Sequence, residues 1–308
     1  MNDKLVSVII TTHNRKPQIV LRAVNSVLRQ TYKNIELIVV DDSTSDYSYR
    51  SEVKKSVCDI SDSILYIDHG SCKGSCAARN TGLDKAHGEY VAFLDDDDEW
   101  LPTKIEEQLK GFINDKIALV YSRCIIVDEV NGHTYLQKKK LIRGYVFKSL
   151  LMTNFLGGTS VPLIRRSCID KVGGFDTKYK SMQDYDLWLR IAKRYPVNYV
   201  NKPLTKYYIH SNERISNNWD NQLSGRLRLL NKYHKYIEQD DSIWYALHRN
   251  LVIVYIKKGW KKKAFLLWLK CVKKCPLQLY KNFKQLTLIV LGYDSLIYRI
   301  YRKIFIKY

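Results

Sequence analysis

The sequence predicts an α/β protein: a mainly parallel sheet flanked by helices, continued by a basic helical region. Three observations carry this reading. Short β-branched runs alternate with helix-period segments through the first half, an acidic run closes one of those strands, and the last third is helical in period and rich in lysine. With 308 residues, 45% of them hydrophobic and 27% charged, the chain has the length and balance of a folded protein with a sizeable core.

The strand candidates are VSVIIT at 6–11, IELIVV at 35–40, ILYID at 64–68 and YVAFL at 90–94. Between the first two, PQIVLRAVNSVLRQ places Val20, Val24, Val27 and Leu28 on one helical face, with Pro17 suited to a first turn because it has no N–H to leave unpaired. Strands alternating with such helices imply right-handed crossovers and a parallel sheet covered on both faces. Pro102 opens a further helix through about Ile113, IALVYSRCIIV (117–127) reads as another buried strand, and Asn131-Gly132 signals a tight hairpin behind it. Residues 145–215 mix short elements around Gly157-Gly158 and Gly173-Gly174, and from Trp219 onward the period is helical. A boundary is expected near 216–220, giving a first domain over 1–217 and a helical region over 218–308. Lys138–Lys140 and Lys261–Lys263 read as solvated faces, and Trp100 and Trp188 as core.

Charge is uneven: of 51 Lys+Arg and 31 Asp+Glu, residues 220–308 hold 19 and 5, so +14 of the net +20 lies in the last third. Such a surface suits an anionic partner, whether nucleic acid, an acidic membrane leaflet or a phosphorylated substrate. The opening MNDKLVSVIITTHNR has no signal-peptide pattern, and the most apolar late stretch, LTLIVLGYDSLIY, contains Asp294 and falls short of the ~20 residues a spanning helix needs. A cytoplasmic protein is expected. Seven cysteines in a chain this large argue for free thiols, and the C-x3-C pairs Cys72/Cys76 and Cys271/Cys275 lack clustered histidines, which disfavours zinc.

In open parallel sheets, ligands sit at the carboxyl ends of the strands. Three polar clusters fall there: Thr11, Thr12, His13 and Asn14; Asp41 and Asp42; and Asp95 to Asp98. Two carboxylates ~4 Å apart repel by ~4 kcal/mol at a protein surface, so a run of four needs compensation. A divalent cation supplies it, and carboxylates suit Mg²⁺ or Mn²⁺, whose shell is completed by substrate phosphates. The plainer alternative is a solvated loop with Asp95 or Asp98 capping the next helix. Asp42 likewise reads either as a turn cap in DDSTSD or as a ribose or base contact. There is no G-x-G-x-x-G after the first strand, no P-loop and no G-x-S-x-G elbow, which disfavours dehydrogenases, P-loop enzymes and serine hydrolases.

VSVIITTHNR, IELIVVDDSTSD, GSCAARNTGLDKAHGEYVAFLDDDDEWLP, GGFD and QDYDLWLR, in that order over residues 5 to about 215, together resemble family 2 inverting glycosyltransferases of the GT-A fold, of the kind that build bacterial cell-surface polysaccharides. The resemblance implies a nucleotide-sugar donor, most simply UDP-linked, with Thr11 and His13 against the nucleotide and Asp42 on the uracil or ribose. Asp95 and Asp97 become the ends of a D-x-D motif with Asp96 between them, and Asp97 the direct ligand of Mn²⁺ or Mg²⁺. Arg79 lies either near the nucleotide or in an ion pair with the acidic run. Inversion requires a single displacement and a general base, and Asp184 matches the family's base; Gln183 departs from the usual preceding Glu. Asp186 competes with Asp184, but i and i+2 point apart on a helix, and Leu187, Trp188 and Ile191 set a buried face that leaves Asp186 a solvated surface group. His210 matches a histidine that approaches the metal or diphosphate in related enzymes, against the commoner structural role of a lone histidine.

The expected acceptor is a hydroxyl of a glycan or a polyprenyl-diphosphate-linked glycan, and no nucleic acid is expected. KKKAFLLWLKCVKKC and YRIYRKIFIKY set aromatic and aliphatic residues beside lysines, a pattern that fits either the headgroup layer of an anionic membrane, on the inner face of the cell membrane, or a helical subdomain with its basic side in water. Two other classes fit the sequence less well: a metal-dependent nucleotidyltransferase, which normally carries a glycine-rich loop that TTHNRKP lacks, and a non-catalytic basic nucleic-acid-binding protein, for which no reader motif is evident.

Overall fold

A computed structural model describes residues 4–210 and 218–291. The strands are β1 (Val6–Thr12), β2 (Ile35–Asp41), β3 (Leu65–Asp68), β4 (Tyr90–Asp95), β5 (Glu99–Trp100), β6 (Leu119–Asp128), β7 (His133–Leu136), β8 (Leu163–Arg165) and β9 (Val197–Ile209). The helices are α1 (Pro17–Leu28), α2 (Arg50–Cys58), α3 (Ser75–Lys85), α4 (Lys104–Lys110), α5 (Phe147–Met152), α6 (Arg166–Val172), α7 (Gln183–Ala192), α8 (Trp219–Lys232), α9 (His234–Glu238), α10 (Asp241–Lys257), α11 (Lys261–Lys274) and α12 (Leu279–Leu291).

The sheet runs β3-β2-β1-β4-β8-β6-β9-β5, with β7 pairing β6. β3, β2, β1 and β4 are parallel, β8 is antiparallel to both of its neighbours, and β6 and β9 are parallel to each other. The four strands foreseen from β-branched runs are therefore the parallel half. The chain steps outward from β1 to β2 to β3, then returns to place β4 on the other side of β1, so the strand order reverses between β1 and β4. Thr11 is in register with Asp95, and Thr12 with Asp41, at that switch.

On one face of the sheet Val6, Val8, Ile10, Leu37, Val39, Ala92 and Leu94 pack with Val20, Val24 and Val27 of α1, Val53 and Val57 of α2 and Ile105 of α4. Each such side chain contributes roughly 1.5–3 kcal/mol by leaving water. Leu28, expected on the same face, ends α1 and is 39% exposed. The helix opened by Pro102 runs only to Lys110: Gly111 breaks it where a Cβ would come within 2.6 Å of the Val120 side chain. The hairpin after β6 forms with Gly132 at φ 68. Lys139 is drawn inward, its ammonium donating to the Asn154 carbonyl at 3.3 Å, so the Lys138–Lys140 run is not wholly solvated. All seven cysteines are free thiols.

The chain divides into two compact units: 1–150 with 154–178 and 183–212, and 213–308 with the short segments 151–153 and 179–182. The expected cut at 217/218 borders 211–217, which are not among the described residues, and YRIYRKIFIKY lies wholly outside the described residues. Within the second unit, Tyr245, Val252 and Ile256 of α10, Ala264 and Cys271 of α11 and Leu288 and Ile289 of α12 form one core. No helix among the described residues is long and apolar enough to cross a membrane.

Candidate active site

The acidic run is a tight turn. β4 ends at Asp95, the Asp98 N–H donates to the Asp95 carbonyl at 3.1 Å, and the chain re-enters the sheet at once as β5. The turn sorts its carboxylates by position. Asp95 and Asp97 are half-buried, whereas Asp96 and Asp98 are buried. Asp98 faces inward, accepting from the Ser160 hydroxyl at 2.5 Å and the Tyr208 N–H at 3.3 Å. It caps no helix: α4 begins behind Thr103. Burial, with Asp97 and Asp95 alongside, pushes the Asp98 carboxyl well above its usual range. Asp96 is pushed up to about 6 by burial and its acidic neighbours, with Arg15 opposing.

Arg15, just behind β1, grips this turn: Nε to Asp96 Oδ1 at 3.1 Å and Nη2 to Asp97 Oδ2 at 2.9 Å. The same Asp97 oxygen lies 2.8 Å from His210 Nε2, at the end of β9, while His210 Nδ1 is buried without a hydrogen-bond partner. Asp95 turns elsewhere, pairing with Arg79 Nη2 at 2.7 Å. Of the two readings of Arg79, the structure has the ion pair. Asp97 and His210 are thus brought together, and Asp95 is not part of that pair. Among the described residues, a three-residue set whose ligand atoms lie within 4.8 Å of one another is instead His13, Asp42 and Cys72.

That second set joins the ends of β1 and β2 to the loop between β3 and α3. His13 Nδ1 donates to the Asp42 carbonyl at 2.8 Å, and the His13 N–H reaches Asp96 Oδ2 at 3.3 Å. The Asp42 carboxylate anchors the loop before α3. It accepts from Lys73 N–H at 2.7 Å, Gly74 N–H at 2.8 Å and His69 Nδ1 at 2.8 Å. Burial alone would raise it, but these donors hold it below the usual carboxylate range. It is Asp41 that caps its own turn, through Ser43 N–H at 2.9 Å. Asn14, at φ 49, accepts from Thr44 N–H and so ties the β1 and β2 ends together. Thr11 is half-buried at the end of β1.

Asp184 stands in the first turn of α7, half-buried, two residues after Met182 at the strained φ of 65. Burial raises its carboxyl, the Tyr185 N–H and Arg79 pull it down, and Asp95 pushes it up, for a net rise. Arg79 therefore lies between the acidic turn and Asp184 electrostatically. Gln183, where the family pattern has Glu, donates to the Ser75 hydroxyl at 3.0 Å and fixes α7 to the start of α3.

Asp186 corrects the sequence reading. It is 1% exposed, not solvated, and pairs with Arg190 Nε at 2.8 Å. The rest of that guanidinium donates to the carbonyls of Val172, Gly173 and Gly174 at 2.7, 2.6 and 2.5 Å. Asn80 clamps the next residue, exchanging both hydrogen bonds with the Phe175 backbone. The GGFD turn is thereby held between α3 and α7. Trp100 and Trp188 are core, their indole N–H groups donating to the Ser160 and Gly157 carbonyls.

Arg15, Ser160, Asn80 and Arg190 escaped sequence reasoning. Arg15 follows the polar TTHN cluster directly, and a cation beside it, facing a distant acidic run, was the signal available. Ser160 gave none.

A divalent ion fits the Asp97–His210 pair. Their 2.8 Å contact is a hydrogen bond, so an ion would take the place of its proton; the Asp97 carboxylate is the hard oxygen donor that suits Mn²⁺ or Mg²⁺, and the buried, unpartnered His210 Nδ1 shows that this imidazole is not fully satisfied by the protein.

Residues 7–173 match the family model described as "Glycosyl transferase family 2". The chain is 34% identical over 223 residues to the Escherichia coli UDP-Glc:alpha-D-GlcNAc-diphosphoundecaprenol beta-1,3-glucosyltransferase WfaP, covering 70% of this chain and 81% of that one. To WfgD of E. coli, described by the same activity, it is 32% identical over 269 residues, 86% of this chain and 97% of the other. The fold is similar to that of the mannosyltransferase PcManGT from Pyrobaculum calidifontis, solved with GDP-Man and Mn²⁺, with a TM-score of 0.58 at 16% identity over 97% of this chain and 83% of that one. With the sheet's switch point, its acidic turn and these likenesses taken together, the chain belongs to glycosyl transferase family 2 and is a glycosyltransferase of the GT-A fold.

Proposed function

We propose that this glycosyltransferase is an inverting, metal-dependent enzyme that moves a sugar from a UDP-linked donor to a hydroxyl of a polyprenyl-diphosphate-linked glycan during surface polysaccharide synthesis. The donor and acceptor classes follow the activity by which the E. coli relatives are named, and glucose is the first sugar to try. The observation that carries the mechanism is a shared partner: Arg79 pairs with Asp95 of the acidic turn and also acts on the Asp184 carboxyl at the start of α7, whose affinity for protons is raised.

Asp97 and His210 would hold the ion, and Arg15 keeps Asp97 in place. When bound there, Mn²⁺ or Mg²⁺ neutralises charge on the departing diphosphate. His13 and Thr11 lie along the nucleotide, and Asp42 acts by fixing the loop 72–74 against which the base rests. Asp95 and Arg79 neutralise each other, and Asp96, gripped by Arg15 and the His13 N–H, sets the turn. Asp184 takes the proton from the acceptor hydroxyl as that oxygen bonds to the anomeric carbon and the bond from that carbon to the diphosphate oxygen breaks. An acceptor of this kind places the enzyme peripherally at the inner face of the membrane.

The test is a panel of nucleotide sugars with a polyprenyl-diphosphate-linked acceptor, with and without Mn²⁺, read as nucleoside diphosphate released. The expected result is release with a UDP-sugar that requires both acceptor and cation. Release that is indifferent to chelation would remove the metal from the scheme.

A further inference from the structure

The second unit contains a surface that the chemistry above does not use. α11 reads KKKAFLLWLKCVKK, six lysines without an acid. Ala264 and Cys271 close its buried side into the core with α10 and α12. On the opposite side Lys262, Leu266, Leu269 and Lys273 follow one another at spacings of four, three and four residues, which is one line along a helix, with Phe265 beside it. Phe265, Leu266 and Leu269 are 39%, 52% and 44% exposed, so the line is apolar in the middle and cationic at both ends. On its shoulder, Lys270, Lys273 and Lys274 border a surface cleft of about 440 Å³ with Trp244 and Asp241. Asp241 is paired with Lys274 at 2.8 Å and neutralises one of the three.

Two occupants suit an exposed apolar line: a protein or a lipid surface. Lysine is depleted in protein interfaces, where its charge is costly to dehydrate. At a bilayer the same residue is favoured, because its stem lies along apolar surface while the ammonium reaches the phosphate layer. A helix with a one-signed polar face and a Phe/Leu stripe lies in the headgroup plane, held by apolar burial and by attraction to anionic lipid. We infer that α11 docks on an anionic phospholipid bilayer, Phe265, Leu266 and Leu269 entering the acyl boundary and Lys262, Lys270 and Lys273 meeting the phosphates.

The test reads binding alone, so it stands apart from the catalytic assignments. The full chain is sedimented with vesicles of phosphatidylcholine, and of phosphatidylcholine and phosphatidylglycerol in roughly equal parts. Binding is expected to the second and to fall with salt. Lys270→Gln/Lys273→Gln should weaken it about thirtyfold, from the contribution of two cations near a charged surface, and Leu266→Ser/Leu269→Ser at least tenfold. Both pairs are solvent-facing, so circular dichroism and melting should match the wild type, as should turnover on a water-soluble acceptor. Equal binding to neutral vesicles, no binding at all, or variants that sediment like the parent would overturn the inference. So would a stripe variant that alters the oligomer's mass in solution while vesicle binding persists, because the line would then be a protein interface.

Discussion

The two units treat charge in opposite ways, and two helices of the helical unit carry side-chain caps that α1 and α3 lack. In the sheet unit, α1 starts behind Lys16 with proline in its first turn and α3 behind Gly74 at φ 94, neither with a side-chain cap. In the helical unit, Asn218 caps α8 through the N–H groups of Asp220 and Asn221, and Asp240 caps α10 through those of Ser242 and Ile243. Charges differ likewise: Arg15, Arg79 and Arg190 are each matched to an Asp within about 3 Å and shielded from water, whereas the lysines of α11 are exposed. Paired, dehydrated charges set local proton affinities; exposed charges of one sign sum into a long-range field. The sheet unit is therefore where single substitutions should stop chemistry, and the helical unit where they should only trim stability or attraction.

The largest expected effect is on catalysis. Asp184→Asn should lower kcat by about 10²–10⁴ while donor binding survives. It should not destabilise the fold. Asp184 has a folded proton affinity above that of the unfolded chain, so the folded state binds more protons between the two pKa values and loses stability as pH rises through that window. Asn carries no charge to bury, so melting near neutral pH should be equal or higher. For the same reason, the acidic limb of kcat/KM should lie above the ordinary carboxylate range, and a pH–rate profile checks it.

Asp186, two residues on, should behave in reverse. Arg190→Met strands a buried carboxylate and three carbonyls, and breaking such a pair costs about 3–5 kcal/mol in stability. Chemical denaturation of the Arg190 and Asp184 variants side by side separates the two roles; similar losses for both would erase the distinction. Smaller still, Asp240→Ala should cost about 1 kcal/mol, confined to the helical unit and visible as faster amide exchange in α10. Smallest is the pH effect of His248, whose imidazole stacks on Trp244 at 3.8 Å and resists protonation because it is half-buried, with Lys270 and Lys274 nearby. Its folded pKa is depressed, so the unfolded chain takes up a proton first as pH falls. Stability of the helical unit should therefore decline from about pH 6.5 downward, and His248→Gln should flatten that decline.

Much of the fold was legible because its signals are local. The β-branched runs gave β1 to β4, and the acidic run marked the crevice because four carboxylates at a strand end need an explanation wherever they occur. What escaped was non-local. β5 is two residues long and has no period to detect. Arg15 meets Asp96 across 81 residues, and Ser160 reaches Asp98 across 62. The misreading of Asp186 has a definite cause: positions i and i+2 do diverge on α7, but both sides of that helix are covered, so the side away from the crevice was filled by Arg190 rather than by water.

The most direct measurement is calorimetric titration of UDP into the wild type and into Asp97→Ala and Asp184→Asn, each with and without Mn²⁺. The account predicts tight, Mn²⁺-dependent binding to the wild type and to Asp184→Asn, and loss of the Mn²⁺-dependent part in Asp97→Ala. Mn²⁺-dependent binding that persists undiminished in Asp97→Ala would contradict it.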